Sequence, residues 1–175
     1  MYTVIGLLLL GLALYFLLKA KAPVQIFRLF QLSEALHELV GSDLGSGHPR
    51  RRIGAQGVGG EPDAIFKVKR SGQIIIGEFK NRKHKGFVRR REFYQVQLYM
   101  GLAAINFKTQ DVVGLLAFND QCVEIPYDHE LFEALIGLRS EVLASMYKKR
   151  AQDSRPLHRR RSVTPRNRKI RFEGR

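Results

Sequence analysis

The hydrophobic pattern divides the chain into three parts. Met1–Leu18 carries no charged side chain, and a helix of that length would reach roughly 27 Å, enough for a bilayer core. Lys19 and Lys21 follow at once, which places the C-terminal side in the cytoplasm. A cleaved signal peptide is the alternative, with Ala20-Lys21-Ala22 as a weak cleavage signature, but no basic residue precedes the apolar run as such a peptide requires. The expectation is a single-pass transmembrane anchor over residues 1–21.

From Val24 to Val40 the apolar residues Ile26, Phe30, Leu32, Leu36, Leu39 and Val40 recur near helical spacing and predict an amphipathic helix. Gly41 to Gly60 is rich in Gly and Arg and reads as loop, with a short strand at best. Ala64–Val68 and Ile74–Phe79, joined through Arg70-Ser71-Gly72-Gln73, read as a strand hairpin. A helix is predicted at about Glu92–Ile105, strands at Val112–Phe118 and Cys122–Pro126, and a last helix at about Glu130–Tyr147 that buries Leu131, Leu135, Leu138, Val142 and Leu143. That order of helices and strands predicts an α/β body over residues 22–147.

Charge sharpens this division. The net charge is +14, yet Ala22–Tyr147 holds sixteen basic and fourteen acidic residues, whereas Lys148–Arg175 holds twelve basic and two acidic ones. The field belongs to the tail, residues 148–175, which has few apolar residues and is expected to be disordered. Such a tail binds phosphates or anionic lipid without reading sequence. The single cysteine, Cys122, excludes an internal disulfide framework, a Cys-rich zinc site and a four-cysteine iron–sulfur cluster.

Candidate chemistry gathers on the first hairpin. Gly60-Glu61-Pro62-Asp63 leads into one strand, and Ile74-Ile75-Ile76-Gly77-Glu78-Phe79-Lys80 forms the other. Two carboxylates on adjacent strands can converge on a hard cation such as Mg²⁺ or Mn²⁺. Glu78 and Lys80 share one strand face and Phe79 points to the other, which leaves the Phe79 backbone carbonyl between them as a further metal ligand. A cation held there polarises a phosphodiester, and Lys80 orients water or neutralises developing charge. A surface ion pair is the plain alternative, but Ile74–Ile76 is too apolar for an exposed strand, so the charges at its end need partners.

These residues resemble the PD-(D/E)xK nuclease superfamily, with Pro62-Asp63 and Glu78-Phe79-Lys80 as its two halves. Gly60 to Asp63 matches the GxxD turn of the RecB-like branch, and Gln95-Val96-Gln97-Leu98-Tyr99 matches its QxxxY helix. The resemblance covers about Leu32 to Leu102. It implies a restriction-endonuclease-like core, a mixed sheet flanked by helices. It also implies a histidine on the first helix that reaches the metal, for which His37 in Leu36-His37-Glu38-Leu39 is the candidate, and a Gln95/Tyr99 pair that places DNA and the catalytic lysine. The nuclease-related domains share the acidic-strand-lysine core but not the QxxxY feature, and rank second. Lys83, Lys85, Arg89, Arg90 and Arg91 follow the catalytic strand and are expected to rim a DNA groove.

The expectation is therefore a membrane-anchored, Mg²⁺-dependent deoxyribonuclease that leaves 5′-phosphates, with exonuclease action ranked above endonuclease. Asp63, Glu78 and Lys80 are its catalytic group, and Asp63, Glu78, the Phe79 carbonyl and His37 its metal shell. The alternative is a non-catalytic, membrane-tethered nucleic-acid-binding protein with a nuclease-like fold.

Overall fold

The structure is a computed structural model that describes residues 25–45, 47, 49–160, 163, 165 and 170–173. The two runs expected to pair as a hairpin form the centre of a sheet. β4 (Ala64–Val68) and β5 (Ile74–Lys80) pair antiparallel, with Ala64 opposite Gly77. β1 (His37–Ser42) adds antiparallel to β4. On the other side of β5 lies β6 (Val112–Phe118) in parallel, followed by antiparallel β7 (Cys122–Pro126), so that the order is β1-β4-β5-β6-β7. Parallel neighbours need a crossover connection, and α2 (Arg90–Phe107) supplies it. A separate small hairpin consists of β2 (Ile53–Ala55) and β3 (Val58–Gly60).

Strand alternation sorts the core into two layers. Ile65, Ile74, Ile76 and Leu116 pack with residues of α2 and of α3 (His129–Gly137). Ala64, Phe66, Ile75 and Ala117 face the opposite way, against Ile26, Phe27 and Phe30, which belong to or follow α1, described here at residues 25–29. Close approach fixes both layers. A Cβ on Gly77 would stand 2.6 Å from the Phe30 ring, and one on Gly114 of β6 would overlap Val96 of α2. Gly101 of α2 is likewise covered by Phe132 of α3. The helix that carries Gln95 is thus seated directly on the sheet.

The α/β class and the bounds of the four strands from β4 to β7 agree with the sequence reading to within a residue. Other expectations are corrected. Among the described residues no helix is long and apolar enough to cross a membrane, which overturns the transmembrane architecture and the single-pass membrane placement; Met1–Leu18, on which both were based, lies outside the described residues. The amphipathic helix expected to run to Val40 ends early, and His37–Ser42 is an edge strand. The last helix is broken at Leu138 into α3 and α4 (Arg139–Tyr147), and Val142 and Leu143 are exposed rather than core.

The tail expected to be disordered has anchors on the body. Leu157–Arg159 forms a 3₁₀ turn, Val163 is fully buried, and its carbonyl accepts from the Tyr94 hydroxyl at 3.1 Å. Phe172 stacks edge-on against Phe93 and bridges in parallel to Val88. Burial of these apolar side chains offsets the ordering cost that the tail's charge would otherwise leave unmet.

Candidate functional site

Asp63, Glu78 and Lys80 share the face of Ile65, Ile74 and Ile76, the face that α2 covers. β4 begins at the end of the sheet where β5 finishes, so Asp63 comes level with the last residues of β5. Its Oδ2 accepts the Phe79 backbone N–H at 2.7 Å. The Ser42 hydroxyl and the Asp43 N–H donate to the Asp63 carbonyl at 2.8 Å and 3.0 Å. Asp63 is thereby fixed from both neighbouring strands, and its carboxylate is turned toward the Glu78–Lys80 segment.

Glu78 is 2% exposed. Its Oε2 accepts from the Lys80 ammonium at 2.9 Å, and its Oε1 is buried without a hydrogen-bond partner. Lys80 also donates to the Gln95 side-chain oxygen at 3.2 Å, which ties the QxxxY helix to the acidic strand. Tyr99, one turn further along α2, lies over Gly60, where any Cβ would overlap its ring. The GxxD turn and the QxxxY helix are therefore in contact, and glycine at position 60 is what permits it.

Burial pushes the Glu78 carboxyl up to about 7; the Asp63 charge adds to the rise, and the Lys80 ammonium and the Asp63 backbone N–H oppose it. Asp63 is also raised, first by burial, against the pull of the Phe79 amide and Lys80, with Asp43 adding to the rise. Two carboxyl groups both raised by burial, with the Asp63 charge adding to the rise of Glu78 and one Glu78 oxygen buried without a partner, form a donor set short of positive charge. Their oxygen chemistry and the free lone pairs of Glu78 Oε1 fit a hard divalent cation, which Asp63, Glu78 and the Phe79 carbonyl would hold. Among the described residues no group of three or more His, Cys, Asp or Glu side chains comes together as a cage, so backbone and water oxygens would have to complete the shell.

His37 is not part of this group. It pairs with Val68 at the far end of β4, while Ala64, next to Asp63, pairs with Ser42. Five strand residues amount to roughly 17 Å. Val68 belongs to the opposite core layer, so its partner His37 also faces away, and its Nδ1 lies 2.9 Å from the Ser33 carbonyl. The expected fourth ligand is absent because the segment is a strand and not a helix. Asp43 and Ser42, which follow in the same strand and its exit, lie next to Asp63 instead. They carry no sequence motif, and a helical reading of the segment hides them.

The basic run after β5 is divided. Lys83, Lys85 and Arg91 are exposed, whereas Arg89 pairs with Glu173 at 3.3 Å and Arg90 lies over the Phe172 ring. Arg82, on which the sequence reading placed no role, ion-pairs with buried Glu92 at 2.7 Å and anchors the start of α2. Gln97, inside the QxxxY segment, is structural: it donates to the Pro126 carbonyl and accepts from the Asp128 N–H.

No protein-family model matches the chain, and no curated protein is significantly similar to it. Among solved structures, the crystal structure of SSO0001 is similar, with 19% identity and a TM-score of 0.38 over 82% of this chain and 62% of that one. This chain thus spans less than two thirds of that protein. At that level of likeness the site stands on its own geometry.

Proposed function

We propose that the chain is a divalent-cation-dependent nuclease of the PD-(D/E)xK type that hydrolyses phosphodiester bonds in DNA. The observation that carries this reading is the buried, unpartnered Glu78 Oε1 beside Asp63 and Lys80. An unmet buried acceptor costs about 1–3 kcal/mol, and a bound cation would meet it.

Each group has a task in that chemistry. Asp63 and Glu78 are the cation's carboxylates, and the bound ion supplies Lewis-acid polarisation of the scissile phosphate. The Lys80 ammonium has three donors. Glu78 and Gln95 take two of them, and the third is left to orient an attacking water or to meet a phosphate oxygen. As that water's oxygen bonds to phosphorus, the bond to the leaving sugar oxygen breaks and Lys80 offsets the negative charge that develops. Gln95 keeps the ammonium from folding wholly onto Glu78, which makes it a positioning residue. Tyr99 holds the GxxD turn against α2 and thereby the start of β4.

Supercoiled plasmid and single-stranded DNA incubated with Mg²⁺ or Mn²⁺ test the reading. Wild type should degrade DNA, EDTA should stop it, and Lys80→Ala and Asp63→Asn should each reduce the rate at least 100-fold. Conversion of closed circles to linear form assigns endonuclease action, and degradation of linear DNA alone assigns exonuclease action. Equal rates for wild type and Lys80→Ala would reject the enzyme; nucleic-acid retention without cleavage would leave the non-catalytic alternative.

A further inference from the structure

Charge available to a polyanion also lies outside the basic run that follows β5. Many arginines of the structure are neutralised by carboxylates: Arg50 by Asp43, Arg82 by Glu92, Arg89 by Glu173 and Arg155 by Asp153. Around the β2–β3 hairpin the pattern reverses. Arg51, Arg52 and Arg139 are exposed, and each lies beside a neutral group, which holds Arg51 and Arg139 in place. The Arg51 guanidinium lies 4.6 Å from the centroid of the Phe107 ring. Arg139 donates from Nε to the Gly57 carbonyl at 3.3 Å. The Arg52 guanidinium lies alongside Gly59, within 3.5 Å of where a Cβ would stand. A guanidinium fixed by a ring or a carbonyl keeps its full charge and its remaining donors, and its ordering cost is already met before a ligand arrives.

The hairpin is shaped to go with those arginines. Gly54, Gly57 and Gly59 leave its surface nearly free of side chains, and its turn has Gln56 and Gly57 at φ 53° and 73°, a conformation that glycine adopts without strain. Asn106 exchanges hydrogen bonds with the backbone of Gly54, at 3.0 Å and 3.5 Å, and ties β2 to the end of α2. The opposite end of the hairpin, Gly60, touches Tyr99 and is three residues from Asp63. One end of the hairpin therefore lies near the carboxylate pair, its strands rest against α2, and its turn lies beside Arg139.

We infer that the β2–β3 hairpin, with Arg51, Arg52 and Arg139, is the surface along which a nucleic-acid backbone runs to the Asp63–Glu78 site. The inference rests on the nuclease reading for its substrate class, but it concerns binding and is tested without catalysis. The exposed glycines let a sugar-phosphate chain approach the peptide backbone closely, and the three guanidiniums meet successive phosphates. Because phosphate contacts carry no sequence information, the surface fixes register and not base preference.

The test is fluorescence anisotropy of a short labelled DNA strand and its duplex, with full-length protein in EDTA, across a salt series. Arg51→Ala/Arg52→Ala/Arg139→Ala should weaken binding at least tenfold at low salt and reduce the slope of log K against log salt by about 2 to 3, since each phosphate contact contributes roughly 0.7–0.9. Lys67→Ala/Lys69→Ala/Arg70→Ala removes the same formal charge at the opposite end of the sheet and should change the slope by less than about 0.5. Equal effects from the two triple variants would mean that net charge alone is acting, and would overturn the inference. If the first triple variant does not fold, Arg52→Glu, a single exposed change, should still lower the slope by about 1; an unchanged slope overturns the inference. Hairpin-dependent binding with no metal-dependent cleavage rejects the nuclease and keeps the surface. Lys80-dependent cleavage that the first triple variant leaves intact keeps the nuclease and rejects the surface.

Discussion

The Glu78 carboxyl should make the metal-free protein lose stability as pH rises, and Glu78→Gln should remove the Glu78 share of that loss. In the folded chain this group titrates at about 7 against an ordinary 4.5, so between those values the native state binds more protons than the unfolded state. Stability therefore falls as pH rises through this window, because linkage gives a negative slope wherever the folded form holds the extra proton. Below the window the group is protonated in both states and contributes nothing; above it the full penalty applies. At about 1.4 kcal/mol per pH unit, the rise corresponds to roughly 3 kcal/mol by pH 8. The raised Asp63 carboxyl acts in the same direction. Glu78→Gln removes the buried charge but also the Lys80 contact, so a net gain of about 1–2 kcal/mol is expected at pH 8, and a Tm gain of roughly 2–8 °C. At pH 4.5 the two proteins should melt within about a degree of each other. Mg²⁺ should reverse the pattern. A cation at 100 times its Kd stabilises the folded state by about 2.7 kcal/mol, should do so more strongly at pH 8 than at pH 6 because it displaces the Glu78 proton, and should do nothing for Glu78→Gln. Thermal melts in EDTA and in Mg²⁺ at these pH values read all of it. A wild-type Tm that does not change between pH 5 and pH 8 would refute the reasoning.

Gly60→Ala places a methyl group against the Tyr99 ring; it should cost about 1–3 kcal/mol by chemical denaturation and slow cleavage further than the stability loss accounts for, since the Asp63 turn moves with it. His37→Ala should leave both the rate and its Mg²⁺ dependence within about twofold of wild type, because the imidazole faces the other layer of the protein; a tenfold loss would return it to the metal shell. Phe172→Ala removes the edge-on contact with Phe93 and the Arg90 ring contact and should cost about 1–2 kcal/mol, less than a fully buried Phe because the ring is half-buried.

The hairpin of Ala64–Val68 and Ile74–Lys80 was legible because its strands bury eight of their twelve residues, and an apolar run bounded by turn residues has few other solutions. With it came the carboxylates, the lysine and their shared face. Gln95 was singled out by the QxxxY resemblance, and its side-chain oxygen accepts from Lys80. The segment Leu36–Val40 was not legible. Its apolar positions satisfy a helical period when joined to Ile26 and Phe30, yet an edge strand that buries only one side reads almost identically over so few residues. The error removed His37 from the site and concealed Ser42 and Asp43. Gly41–Gly60 read as loop with a short strand at best, and the β2–β3 hairpin within it was not legible because strands built from glycine bury little, with Ile53 its one fully buried apolar side chain. Gln56-Gly57, bounded by short apolar positions, was the signal that could have found it. The tail's anchors, Val163 and Phe172, are single residues in a charged sequence, and composition averages them away.

What brings the pieces together is the change of strand direction at β5. On one side its partner is antiparallel, so β4 starts where β5 stops, and Asp63 is delivered to that edge by a hairpin of only a few residues. On the other side its partner is parallel, so the chain must leave β5 at the same edge and return across one face, and α2 therefore passes over the end of the strand it has just left. Gln95 and Tyr99 meet Lys80 and Gly60 as a consequence of that topology, with no long loop required. Gly77 and Gly114 let Phe30 and Val96 sit close on the two faces of the sheet, and Glu78 lies buried between the layers at 2% exposure. A carboxylate kept dry beside an ammonium and a second carboxylate is costly in an isolated fold. At the edge where these segments meet, such a carboxylate is what the proposed cation site would use, and a bound cation would offset that cost.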